Sequence, residues 1–242
     1  MKGLSFGTIG SLLLASYIGV GHTQEISTVR ELSPEEAKGR VAIVIKIVGD
    51  RIEGICNYGK MLLKDKPMAV IAKHCVLNIN EHDITTKTLD YLVTPNITNL
   101  FQNRGLDVKF IAPYAPPIRE RSDEDEKTII GKQVTINSCI PGSGNSMQCW
   151  EIQGTAHVSP AVSGQNSLKI SNEDYKNILI SGDRRGGAVT GMSGNIILDS
   201  RGRVFGVLSM ASAYNPRNPY QIISFEALRQ TRLGGKTSYI PE

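Results

Sequence analysis

The segment Val41-Ala42-Ile43-Val44-Ile45-Lys46-Ile47-Val48, ending on Gly49-Asp50, constrains the fold more than any other part of the chain. Its β-branched side chains are stiff at χ1 and fit a pleated surface, while Gly-Asp supplies a turn, so it reads as a strand entering a hairpin with Ile52 to Cys56. Similar runs recur at Met68 to Ala72, Val134 to Ile136, Cys149 to Ile152, Ile178 to Ile180, Asn195 to Leu198 and Val204 to Met210. The 24 glycines and 11 prolines among 242 residues provide turns between them. Nothing repeats at the period of a solenoid or propeller. The clearest helix is a late one, Ser224 to Arg229. An all-β fold follows, with room for one large core or two small ones.

Residues 1–21 begin Met1-Lys2, run through apolar Leu4 to Val20 and end on small residues, as a cleavable export signal does. That apolar run, broken by Gly7, Gly10 and Ser11, is short for a membrane span, so none is expected in the mature chain. Residues 22–40 read as a polar leader in which Ser33-Pro34-Glu35-Glu36 starts a short helix. The proline-rich and then charged stretch 113–127 has the composition of a linker, dividing 41–112 from 128–242. A net charge of +4 spread over a mixed-sign sequence, without a basic stripe interleaved with aromatics, argues against nucleic acid as a partner. Secretion or the periplasm would permit disulfides among Cys56, Cys75, Cys139 and Cys149, for which the sequence alone allows three pairings.

Ser193 lies in Gly191-Met192-Ser193-Gly194, and all four histidines, His22, His74, His82 and His157, precede it. A serine-based triad must therefore place histidine before serine, which excludes the α/β-hydrolase order; Asn195 also breaks the Gly-x-Ser-x-Gly elbow. Two orders remain: His…Asp…Ser, and Asp…His…Ser using Asp50. The second belongs to an α/β fold with helical crossovers, which these β runs do not supply. Asp83, Asp90 and Asp107 lie between His74 and the 113–127 segment, and Asp107 is the best placed because it leads directly into the apolar run Val108-Lys109-Phe110-Ile111. His157 has no second ligand at metal spacing, and Asp123 to Glu126 lacks the alternating oxygens and turn glycine of a calcium loop, so no metal or other cofactor is expected. Asn96-Ile97-Thr98 fits a glycosylation sequon.

Ile71-Ala72-Lys73-His74-Cys75, the aspartate-led run from Asp107, Gly191-Met192-Ser193-Gly194 and Gly206-Val207-Leu208-Ser209 together resemble the motifs of the chymotrypsin-type (trypsin-like) serine protease family, over about residues 41–230. The resemblance implies two six-stranded antiparallel β-barrels with the active site in the cleft between them. It makes Ser193 the nucleophile, His74 the general acid–base and Asp107 the carboxylate that orients it. The N–H groups of Gly191 and Ser193 would form the oxyanion hole. Ser209 would support the aspartate and present backbone to an extended polypeptide substrate, with Gly187 and Ala188 at the base of the specificity pocket and Met210 and Ala211 as its walls.

The same resemblance pairs Cys56 with Cys75, which leaves Cys139 with Cys149 across the turn Pro141 to Asn145. Met192 stands where the family has aspartate, so activation by an ion pair to a new N-terminus has no carboxylate to use. Without a carboxylate at Gly187, cleavage after lysine or arginine is not expected. A small or medium aliphatic side chain suits the apolar walls, and Arg184 and Arg185 raise attraction of acidic residues as a second possibility. The expected function is an exported serine endopeptidase acting through an acyl-enzyme; the alternative is a protease-like fold kept as a binding module.

Overall fold

The computed structural model describes residues 25–40, 42–48, 51–76, 91–102, 107–110, 116–141, 147–160, 164–181 and 191–228, with the backbone alone at 42–48, 51–54, 107–110, 141, 179–181 and 210. In chain order the elements are β1 (Thr28–Leu32), α1 (Pro34–Ala37), β2 (Ala42–Val48), β3 (Arg51–Leu63), β4 (Lys66–Ala72), a 3-10 turn (Lys73–Cys75), β5 (Tyr91–Thr94), α2 (Ile97–Gln102), β6 (Asp107–Phe110) and β7 (Ile118–Arg119). There follow β8 (Gln133–Pro141), β9 (Met147–Thr155), β10 (His157–Val158), β11 (Asn166–Ile170), α3 (Asn172–Ser181), β12 (Ile196–Asp199), β13 (Val204–Ala211) and β14 (Gln221–Ala227).

The strands make two sheets, so the all-β expectation holds. One has six strands, in the order β5-β4-β3-β2-β6 with β7 pairing β3; the other has eight, β1-β9-β8-β12-β13-β14-β11-β10. Among the described residues the strand-to-strand pairings are antiparallel except the short parallel one between β3 and β7, and two isolated parallel bridges, Ser27↔Ile170 and Arg121↔Val204, lie outside those pairings. The second sheet thus exceeds the six strands expected, and β1, from the 22–40 segment, is one of its members. β1 pairs with β9 from Thr28↔Gln153 to Leu32↔Cys149. Ser33 caps α1 in a capping box with Glu36, as the Ser-Pro-Glu-Glu pattern anticipates.

Alternation on β12, and on β13 alternation interrupted by a register shift opposite Ile197 and Leu198, explain how the sheets share one interface. Ile196, Leu198, Val204 and Val207 pack with Val70, Tyr91, Leu92 and Phe101 of the first sheet and α2. Ile197, Phe205 and Leu208 face the other way, into the interior of the second sheet with Ile136, Ile152, Leu168 and Phe225. β3 runs close under β12: a Cβ on Gly59 would collide with the side chain of Ile196.

Three local readings are corrected. Ser224 to Ala227, expected as helix, belongs to β14, where Phe225 and Ala227 join the core of the second sheet. Ile178 to Ile180, expected as strand, lies in α3, whose start is held by Ser171 Oγ accepting from Asp174 N at 3.0 Å while Tyr175 and Ile178 turn into the core. The 113–127 segment is not wholly solvated: Ser122 is buried and its hydroxyl donates to Asp199 Oδ2 at 2.7 Å. Residues 1–21 lie outside the described residues. No helix among the described residues is long and apolar enough to cross a membrane.

Candidate active site

His74 sits in the 3-10 turn that ends β4, partly buried, immediately before Cys75. Lys73 opens that turn and is not part of the strand. The Cys56–Cys75 disulfide ties this turn to β3, and Cys139–Cys149 joins directly opposed residues of β8 and β9, so both pairings implied by the family resemblance are present. The Cys56, His74 and Cys75 ligand atoms lie within 4.8 Å of one another. Because the two sulfurs are bonded to each other, they offer no thiolate to a metal ion.

Ser193 lies in a tight turn between residues with special backbone geometry. Gly191 has φ +91° and Gly194 φ +85°, conformations that glycine adopts without steric cost. The turn closes through Asn195 N donating to Met192 O at 3.2 Å, and the Asn195 side chain adds bonds to Met192 O at 2.9 Å and Ser138 Oγ at 2.7 Å. On its far side, Gly194 N donates to Leu208 O at 3.0 Å and Leu208 N to Asn195 O at 2.7 Å, which fixes the turn to β13. Met192 is fully buried in the core of the second sheet. Where the family motif has a carboxylate, an apolar side chain anchors this turn, stabilising it by about 1.5–3 kcal/mol for burial of a side chain of that size.

The turn also docks on the first sheet. Asn57 N donates to Ser193 O at 2.7 Å, and Asn57 Nδ2 donates to Gly191 O. A Cβ on Gly194 would collide with the Asn57 carbonyl oxygen and crowd Ala72 N at 3.3 Å, so only glycine permits this approach. Cys56 and Asn57, consecutive on β3, therefore hold the two segments that carry His74 and Ser193: Cys56 by a covalent bond to the residue after His74, Asn57 by a hydrogen bond to Ser193 itself.

No protein-family model and no curated protein matches the sequence. Among solved structures, the chain is similar to that of AL20, a thermostable serine protease from an extremophilic microorganism, at 10% identity and TM-score 0.43, with 78% of this chain and 91% of that one covered. It is also similar to the protease Anisep from Arthrobacter nicotinovorans, at 11% identity and TM-score 0.44, with 83% of this chain and 93% of that one covered.

The remaining candidates fall as follows. Asp107 opens β6, paired at Asp107↔Ile47 with β2, and its side chain lies outside the described residues. Asp83, Asp90, Arg184, Arg185, Gly187 and Ala188 also lie outside them, as does the side chain of Met210. Ser209 is buried on β13, its hydroxyl donating to Gln165 Oε1 at 2.9 Å, and Ala211 is partly buried at the strand end. His157 is on β10, and burial pushes its imidazole below the usual range, with the nearby Lys169 charge adding to the effect. Asn96 Oδ1 accepts from Thr98 N at 3.0 Å and Asn99 N at 3.1 Å, capping α2. Asn57 is the site residue that sequence reasoning missed.

Proposed function

We propose that the protein is a serine endopeptidase that hydrolyses polypeptides through an acyl-enzyme on Ser193. A single observation carries this reading: consecutive residues of one strand, Cys56 and Asn57, secure the segments bearing His74 and Ser193, a base and a nucleophile drawn from two different sheets. A serine hydroxyl attacks a carbonyl only when an imidazole removes its proton, and the family resemblance assigns that role to His74 with Asp107 fixing its tautomer. In the first step Ser193 Oγ bonds to the substrate carbonyl carbon while its proton passes to His74, and the carbonyl oxygen becomes an oxyanion facing the N–H groups of Gly191 and Ser193. Collapse expels the amine, which takes the proton from His74; water, deprotonated by His74, then releases the acid and restores Ser193.

Two disulfides in one chain suit an oxidising compartment, which supports secretion or residence in the periplasm. The buried Met192 supports a site organised without an ion pair from a new N-terminus.

The deciding experiment is reaction with a fluorophosphonate followed by mass spectrometry. Modification confined to Ser193, and abolished in His74→Ala, is the expected result. Failure of the intact protein to react would leave a protease-like binding module instead.

A further inference from the structure

We propose that Asn57 is a positioning residue for oxyanion stabilisation, holding the turn so that the N–H groups of Gly191 and Ser193 converge. This rests on the serine peptidase reading. Asn57 makes two bonds to the turn, one from its backbone to Ser193 O and one from its side chain to Gly191 O. Those carbonyls lie in the 191–192 and 193–194 peptide units, one on each side of the unit that carries the Ser193 N–H, and the first directly follows Gly191, so one residue fixes the backbone around both assigned donors.

The need for a clamp follows from Gly191. Glycine visits positive and negative φ with little preference, so a peptide next to it can rotate and carry an N–H out of the site. Gly191 holds φ +91°, and Asn57 Nδ2 grips its carbonyl, which fixes the 191–192 peptide unit next to this rotatable glycine. Ile140 and Ile55, 3.2 and 3.3 Å from where a Gly191 Cβ would lie, limit the space on the other side.

The energetics of Asn57 point the same way. The residue is fully buried, yet its Oδ1 has no hydrogen-bond partner among the described residues. Burying an amide group that is only half satisfied costs stability, of order 1–3 kcal/mol for the orphaned acceptor, so the side chain is poorly suited to a purely structural role. The bond to Gly191 O is what the side chain contributes, and it acts on the turn carrying the nucleophile.

The test is Asn57→Ala, which keeps the backbone bond to Ser193 O and deletes the bond to Gly191 O. Fluorophosphonate inactivation is resolved into KI and kinact, hydrolysis of fluorescein-labelled casein is followed in parallel, and thermal unfolding is recorded. Expected are a kinact and casein rate lower by roughly ten- to a hundred-fold, less than the loss of an oxyanion donor itself, a KI within about twofold, and a melting temperature lowered by no more than a few degrees, since the Gly191 carbonyl loses its donor and a small cavity opens while the buried Oδ1 is removed. Should Asn57→Ala fail to fold, Asn57→Gly is measured in the same way. Unchanged kinact in a folded variant overturns the role of Asn57 and leaves the peptidase reading intact. Lack of any reaction at Ser193 in the parent protein overturns both.

Discussion

Ser27 forms a parallel bridge with Ile170, its N–H donating to the Lys169 carbonyl at 2.7 Å. The residue just before β1 therefore meets β11, near the opposite end of the eight-strand order, and links the sheet's two edges. Deleting residues 25–37 should reopen those edges and remove buried Leu32 and Ala37, a loss of about 2 kcal/mol or more, which for this chain length lowers the melting temperature by roughly 4–8 °C. A chain starting at His22 should keep the parent's stability and activity. Equal melting temperatures for chains starting at His22 and at Arg40 would show the strand to be dispensable. Gly154→Val tests the same contact, since a Cβ there collides with Ser27.

Ser193→Ala and His74→Ala should each lower peptide hydrolysis by orders of magnitude with the melting temperature little changed. Near-parental activity in either variant would refute the assignment. Asp107→Asn should be similarly damaging because it favours the wrong imidazole tautomer; a severe loss from Asp90→Asn with a mild one from Asp107→Asn transfers that role to Asp90.

Met192→Ala should destabilise the protein by about 2–5 kcal/mol, the cost of a cavity in a packed core. Met192→Asp should be worse, since it buries an unpaired carboxylate. Urea unfolding midpoints measure both, and an aspartate variant as stable as the parent would mean that a cationic partner reaches the site.

Glu36 sits at an exposed junction of β1 and α1, and the Arg30 guanidinium, with Ser33 donating to it as well, holds its carboxyl down to about 2. A carboxyl lowered by folding adds stability above its ordinary value of 4.5, and that contribution fades as pH falls toward 2. Stability of the parent and Glu36→Gln should thus differ at neutral pH and converge near pH 2. The gap should also shrink in high salt, because the group is exposed. A constant gap from pH 7 to pH 2 would assign the effect to something other than this charge.

The strands most legible in the sequence are those with β-branched cores, such as Ala42–Val48 and Val204–Ala211, where side-chain stiffness and pairing agree. Ser224-Phe225-Glu226-Ala227 misleads because Glu226, Ala227 and the following Leu228 carry helix propensity, and pairing with β11 and β13 overrides it. Ile178 to Ile180 misleads the other way: three apolar residues look like strand until the Ser171 cap and the spacing of Tyr175 and Ile178 are weighed. At the site, histidine and serine are visible as motifs, while Asn57 is not. Its partner Gly191 lies 134 positions away, and a lone asparagine at the end of an apolar run carries no mark of that contact.

All four cysteines are spent within their own sheets, Cys56 on Cys75 and Cys139 on Cys149. No disulfide spans the two sheets, so after a single cut in the chain between β7 and β8 each fragment carries its own staple and the two are held by noncovalent contacts: the β1–β9 pairing, the shared apolar interface and bonds such as Asn57 to Ser193. After unfolding, such a nicked molecule regains its structure by a bimolecular encounter, and its recovery becomes a matter of dilution.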